Sequence, residues 1–248
     1  MSKKRVSLTL DEKLVQRVDA EAESNDLNRS QLVEQIIDNH FEQQGIETAV
    51  ILCGDPELRT LELYNGKPVL SDILDNLVEE GINRAVLLIG ENTEIEENFG
   101  SEYHGLALEY VSEDQPKGTA AALEKVRDKV DGTFVTLNGH VIADVDLDDM
   151  LRSHDDSDSI ATMALTAVEE PSNYGVVRLK GRTILGFKEK PKQGEEPSRL
   201  INAGTYILEP AIFDRLDHSS IEQVFEGLAK KSELSGYIYG GRWKEIKG

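Results

Sequence analysis

Residues 5–10 read R-V-S-L-T-L, and this short stretch constrains the chain more than any other. Apolar Val6, Leu8 and Leu10 alternate with polar Arg5, Ser7 and Thr9, the two-residue period of a half-buried strand. Two helical patterns follow. Asp11 is placed to cap the first, and acidic Asp11 and Glu12 suit its positive end. Leu14, Val18 and Ala22 then recur every four residues as one apolar stripe. Ser24-Asn25-Asp26 breaks the pattern. Asn28 or Ser30 can cap a second helix, whose buried face is Leu32, Val33, Ile36, Ile37 and Phe41, with Gly45 as a stop. One strand and two short helices cannot make a stable fold, because the strand has no partner. Pairing with the same strand of a second copy supplies the missing hydrogen bonds and buries Val6, Leu8 and Leu10 against four helices. The opposite face then presents Arg5, Ser7 and Thr9 twice.

This order resembles the ribbon-helix-helix family of DNA-binding proteins, over about residues 3–44. The resemblance implies a homodimer and double-stranded DNA as partner. In that family the outward strand residues read base edges in the major groove, which assigns the reading to Arg5, Ser7 and Thr9. Arg29 and Ser30, at the start of the second helix, match the family's phosphate clamp. Antitoxins also belong to this family, and in them the remainder of the chain binds a toxin.

Charge bears on this expectation. The chain carries 27 Lys and Arg against 47 Asp and Glu, a formal net charge of −20, which repels nucleic acid. Residues 1–10, however, hold Lys3, Lys4 and Arg5 and no acid, so a dimer concentrates positive charge on one face. The acids are spread over the whole sequence, as in proteins adapted to high salt (a halophilic setting). No apolar run approaches the roughly 18 residues that span a bilayer, and the N-terminus lacks a signal-peptide core. Cys53 is the only cysteine, so an internal disulfide and a cysteine metal cluster are excluded. The expected location is the cytoplasm.

From residue 46 the pattern changes, dividing the chain into domains at 1–45 and 46–248. Thr48–Cys53, Arg84–Ile89, Leu106–Val111 and Phe134–Leu137 are apolar runs of strand length. Pro68–Leu77 and Ala120–Val130 have helical periodicity between them. Strands alternating with helices predict a doubly wound, mainly parallel α/β domain, with apolar strands covered on both faces.

Eight stretches of this domain resemble the sugar-phosphate nucleotidyltransferases, in that family's order: A-V-I-L-C-G (49–54), N-G-K-P-V-L (65–70), P-K-G-T-A-A-A-L (116–123), L-N-G-H-V (137–141), N-Y-G-V-V (173–177), F-K-E-K-P-K (187–192), I-N-A-G-T-Y-I-L (201–208) and R-W-K-E-I (242–246). The resemblance implies a nucleotide sugar or sugar phosphate as ligand. It assigns the nucleobase turn to Gly118 and Thr119, and the sugar and its phosphate to Tyr174, Gly175, Glu189, Lys190, Asn202 and Gly204. A carboxylate and an amide suit vicinal hydroxyls, a lysine suits the phosphate, and glycines permit close approach.

The departures from the family point away from catalysis. The family's triphosphate loop reads G-G-x-G-T-R followed by a lysine-containing P-K-P; here Gly54 alone remains of the glycines, Pro56 lacks an N–H, and Asp55 and Glu57 add negative charge. Arg59 is the candidate for the family arginine, and the P-K-P segment is deleted. The family's two magnesium aspartates correspond to His140 and Glu245, and an imidazole is a poor ligand for that hard cation. The sequence therefore predicts no catalytic residues, no metal and no cofactor. It predicts a dimeric transcriptional regulator with a nucleotidyltransferase-like domain that senses a ligand or sets the oligomer. The alternative is an active sugar-1-phosphate nucleotidyltransferase carrying an oligomerisation arm.

Overall fold

A computed structural model describes residues 6–25, 27–43, 45–113, 117–216 and 220–247, with the backbone alone over 38–43. The chain separates into two compact units, Met1–Gly45 and Ile46–Gly248.

The first unit holds helices α1 (Glu12–Ser24) and α2 (Arg29–Gln43). Asp11 caps α1, its carboxylate accepting from the backbone N–H of Lys13 at 2.9 Å. Asn28, not Ser30, caps α2. Its side-chain oxygen accepts from the N–H of Gln31 at 3.1 Å, and the Gln31 amide oxygen accepts from the N–H of Asn28 at 2.9 Å. This reciprocal box satisfies two backbone donors that a helix start otherwise leaves unpaired. Val18, Ala22 and Leu32 form the buried centre, with Leu27 and Val33 against them.

The expected strand at 5–10 is not formed in a single chain. Residues 6–10 have no regular secondary structure, and Val6 and Leu8 are 73% and 59% exposed. A strand exists only through hydrogen bonds to a neighbouring strand, and one copy offers none. The same incompleteness shows on the helices: Leu14, Ile36 and Ile37, expected on buried faces, are exposed. The side chain of Phe41 lies outside the described residues.

The second unit is built on a ten-stranded sheet. In chain order its elements are β1 (Thr48–Leu52), β2 (Leu63–Tyr64), β3 (Lys67–Pro68), α3 (Val69–Glu79), β4 (Arg84–Gly90), α4 (Glu94–Phe99), β5 (Glu102–Tyr103), β6 (Leu106–Ser112) and α5 (Thr119–Glu124). Then come β7 (Phe134–Asn138), β8 (Val141–Ala143), α6 (Leu147–Asp155), β9 (Ala161–Ala167), β10 (Gly175–Lys180), β11 (Thr183–Glu189), β12 (Leu200–Leu208), α7 (Ile221–Lys231), β13 (Leu234–Ile238) and β14 (Trp243–Glu245). The predicted helix at 120–130 is interrupted: α5 ends at Glu124 and a single 3₁₀ turn, Arg127–Lys129, follows.

The strand order is β10-β11-β13-β9-β12-β7-β1-β4-β6-β5. β7, β1, β4 and β6 run parallel, as expected from their near-continuous apolar sequences. β13 and β9 are also parallel, but the other pairings are not. β12 runs antiparallel to both β7 and β9, and β10 and β11 pair antiparallel, so the whole sheet is mixed. Side chains alternate between two cores. Ala49 and Ile51 of β1 face a layer containing Leu70, Leu74 and Leu77 of α3 and Met150 of α6. Val50 faces a layer containing Leu123 of α5 and Val224, Phe225 and Leu228 of α7. Each fully buried side chain of this size contributes about 1.5–3 kcal/mol, so this two-sided burial fixes the strand ends that carry the site.

Candidate functional site

Ligands of open α/β sheets bind outside the carboxyl ends of the parallel strands. Here those ends enclose a cleft of ≈ 300 Å³. Its floor is Gly54 after β1, Gly90 ending β4 and Glu113 after β6; Gly118, Thr119, Asn138, His140 and Glu222 form the walls. Two glycines cross closely on the floor: a Cβ on Gly90 would stand 3.3 Å from the Cα of Gly54, and Gly90 has φ +59°. A larger groove of ≈ 740 Å³ runs beside α3. Its cations are already paired, Lys67 with Asp75 at 2.6 Å and Arg242 with Asp144 at 3.1 Å. The smaller cleft, which contains Gly54, Gly118, Thr119, Asn138 and His140, is the better site.

The loop after β1 is organised around itself. Asp55 hydrogen-bonds the Nε of Arg59, and its second oxygen accepts from the N–H of Glu57 at 3.2 Å. Asn92 donates to the backbone carbonyl of Asp55 at 2.9 Å. Burial, the largest single influence, works to raise the Asp55 carboxyl, but the hydrogen bonds from Arg59 and from the backbone N–H of Glu57, with the charge of Arg59, together outweigh it and hold the group below its ordinary value. Arg59 is raised in turn, chiefly by that same bond. The Arg59 guanidinium lining the cleft is therefore committed to a neighbouring carboxylate.

His140 follows β7. Burial first, then the nearby charge of Arg59, lowers its pKa, so the imidazole is neutral at neutral pH. Its Nε2 lies 3.9 Å from Glu245, a contact without an ion pair in that state. Among the described residues no three His, Cys, Asp or Glu side chains are arranged to hold a metal ion. One imidazole and one carboxylate do not make a magnesium site, which needs several oxygen ligands.

The sequence-matched ligand residues adjoin the cleft in part. Gly118 has φ +102°, a conformation glycine tolerates, and the Thr119 hydroxyl accepts from the N–H of Ile221 at the start of α7 at 2.9 Å. Gly204, with φ +80°, sits in an irregularity of β12 between Asn202 and Tyr206; its N–H donates to Asn202 at 2.9 Å, and a Cβ there would strike Asn138. Asn202 also donates to the Tyr206 hydroxyl at 2.8 Å. Gly175 packs against Phe187 and Glu189. The Tyr174 ring meets Trp243 edge-on at 5.3 Å, with Lys247 5.1 Å from the Tyr174 ring centroid. The Glu189 carboxyl is raised by burial first and then by Glu222, against the opposing charge of Lys190, with Glu226 and Glu245 adding to the rise. Lys190 is exposed, with φ +41°, and its Nζ is 3.9 Å from Glu189. Glu113 and Glu222 were missed from the sequence. A lone glutamate on a strand end or helix start has no local signature until the topology brings it to the cleft.

Of the DNA-binding candidates, Lys3, Lys4 and Arg5 lie outside the described residues. Ser7, Thr9 and Ser30 are exposed. Arg29 is also exposed, but both its Nε and Nη2 reach Asp19 at 2.6 Å. Of the remaining histidines, His154 is structural: it is buried and bonds Thr162 and Glu209 at 2.7 and 3.0 Å. His40 and His218 lie outside the described side chains.

Residues 57–245 match the nucleotidyl transferase family, and residues 4–44 match the ribbon-helix-helix proteins of the copG family. The chain belongs to the nucleotidyl transferase family. It joins a ribbon-helix-helix domain to a nucleotidyl transferase domain in one polypeptide. A mannose-1-phosphate guanylyltransferase catalytic subunit beta of Dictyostelium discoideum is 34% identical over 218 residues, covering 80% of this chain and 60% of that protein. A mannose-1-phosphate guanyltransferase of Gibberella zeae is 33% identical over 195 residues, covering 74% and 53%. The chain thus spans little more than half the length of these relatives. A UDP-glucose pyrophosphorylase structure from Acinetobacter baumanii superposes with a TM-score of 0.69 at 19% identity, covering 81% of this chain and 88% of that one. That likeness concerns the fold of the nucleotidyl transferase domain.

Proposed function

We propose that the protein is a homodimeric, sequence-specific DNA-binding transcriptional regulator of the cytoplasm, whose nucleotidyl transferase domain binds a small ligand without transferring a nucleotidyl group. The observation that carries the reading is the uncovered alternation of Val6, Leu8 and Leu10 beside two capped helices. A second copy covers it, and Arg5, Ser7 and Thr9 then face outward as a paired ribbon. Loss of transfer is supported by the loop after β1. A polyphosphate needs fixed N–H donors and free cations, whereas Pro56 removes a donor and Asp55 engages Arg59. Ligand sensing requires that the ligand favour either the DNA-competent or the incompetent state.

In vitro selection of bound sequences from random duplex DNA tests the reading. The wild type is expected to enrich one motif, and the Arg5/Ser7/Thr9 triple alanine variant to enrich none. Equal enrichment by both proteins overturns the reader assignment.

A second reading is favoured by the clustering of Asn138, Asn202 and Gly204 and by relatives named for guanylyl transfer. In it the domain still joins a nucleoside triphosphate to a sugar 1-phosphate. Pyrophosphate release above background, from any pair in a substrate panel with magnesium, would establish that activity and end the non-catalytic reading.

A further inference from the structure

The dipeptide Asn-Gly occurs twice in the chain, at 65–66 and at 138–139, and the fold treats the two copies oppositely. Asn65 and Gly66 form the two-residue loop between β2 and β3, with Tyr64 paired to Lys67 and φ values of +51° and +86°. Both residues are exposed, and a Cβ on Gly66 would meet nothing within 4 Å. Among the described residues neither the Gly66 N–H nor the Asn65 carboxamide has a hydrogen-bond partner. At the other copy the Gly139 N–H donates to the carbonyl of Leu52 at 2.9 Å. Gly139 is also buried, and a Cβ there would stand 2.8 Å from the same oxygen.

The backbone nitrogen after an asparagine can attack that asparagine's side-chain carbonyl if its N–H is free to ionise and no side chain of its own blocks the approach. Glycine removes the block, and at Gly66 the N–H is free, whereas at Gly139 it is engaged. We propose that Asn65 is a site of spontaneous deamidation. The Gly66 nitrogen gives its proton to hydroxide and bonds to Cγ of Asn65. The Cγ–Nδ2 bond then breaks, Nδ2 takes a proton from water and leaves as ammonia, and a five-membered succinimide remains. Water adds to either ring carbonyl and opens it to aspartate or isoaspartate, with no change of oxidation state. Only two residue pairs, Leu63 with Pro68 and Tyr64 with Lys67, hold the loop, so it can rearrange for the attack. Either product places a new negative charge two residues from Lys67, whose ammonium already serves Asp72 and Asp75. Isoaspartate also lengthens the backbone by one atom, in a hairpin whose register depends on loop length.

The test is peptide mapping by mass spectrometry of the full chain, aged at neutral and at mildly alkaline pH, both folded and in urea. In the folded protein Asn65 is expected to deamidate at least about tenfold faster than Asn138, whose glycine N–H must first be released by local opening. Alkali should speed the reaction, and isoaspartate should accumulate at position 65. In urea the two sites should react at similar rates, since the fold and not the dipeptide separates them. Asn65→Gln, whose longer side chain closes a ring far less readily, should lose the acidic species resolved by ion exchange. The comparison of the two sites in the wild type needs no variant, so a variant that fails to fold leaves the test intact. Equal rates at both sites in the folded protein overturn the proposal. So does an Asn65 that reacts in urea but not when folded, or a difference between the sites that persists unchanged in urea.

Discussion

Arg29 is gripped by Asp19 through two parallel hydrogen bonds, Nε and Nη2 each 2.6 Å from a carboxylate oxygen. The pair links the first turn of α2 to the middle of α1, and both partners are exposed. In the DNA-binding reading Arg29 meets a phosphate, so Asp19 competes with the DNA for it. Asp19→Asn is expected to tighten binding several-fold at low salt, with a steeper dependence of affinity on salt, by about one counterion per protomer. Fluorescence anisotropy across a salt series measures both. Weaker binding by the variant would mean that Asp19 instead aims Arg29 at the backbone.

Asp55 and Arg59 form the corresponding pair in the other domain, where the carboxylate occupies a cation that an anionic ligand would use. Asp55→Asn should release Arg59 and tighten binding of inorganic pyrophosphate by about tenfold, since a charged hydrogen bond no longer has to be exchanged. Thermal melts at graded pyrophosphate read this out. Equal response of wild type and variant would show that Arg59 is not held back by Asp55.

Glu109 on β6 lies between Arg84, at 2.8 Å, and Lys129, at 3.0 Å. The hydrogen bond from Arg84, followed by that from Lys129, holds its carboxyl down to about 2. The folded value is below the unfolded one, so the stabilisation is complete above the unfolded pKa of about 4.3. It is lost as pH falls from there towards about 2. Glu109→Gln should cost about 1 kcal/mol at neutral pH, a figure discounted for the group's partial exposure. The gap should close in acid. Urea unfolding of both proteins from pH 7 to pH 2.5 checks it, and a gap independent of pH would refute the assignment.

Gly175 has no room for a side chain: a Cβ would lie 2.5 Å from a Phe187 ring carbon and 2.8 Å from Glu189 Oε2. Gly175→Ala should destabilise the domain by about 1–3 kcal/mol through overpacking. On the adjacent strand β11, a Cβ at Gly186 meets nothing within 4 Å, so Gly186→Ala should be close to neutral. Denaturant midpoints compare the two. Similar losses at both positions would remove the steric explanation.

What could be read in the sequence follows a physical division. Helix starts are local, and Asp11 and the Asn28 option were visible as caps because capping depends on residues two or three apart. The parallel strands were visible because burial on both faces leaves an unbroken apolar run, as in β1 and β4. The antiparallel pairings were not, since the pairing of β12 with β9 and β7 joins segments about 40 and 70 residues apart through hydrogen bonds that carry no sequence mark. The engagement of Arg29 and Arg59 by carboxylates was equally hidden. A matched motif names the residue, and only geometry shows whether its charge is free.

The bare alternation of Val6 and Leu8 has a further consequence if the ribbon forms only between two copies. The reading surface is then not encoded in any one molecule but in the encounter of two. Well below the dimer dissociation constant, the amount of paired ribbon rises with the square of total protein, so halving expression leaves about a quarter of it. Gene dosage would thus be felt more sharply at the promoter than in the protein itself, a steepness that requires no ligand and no second binding site.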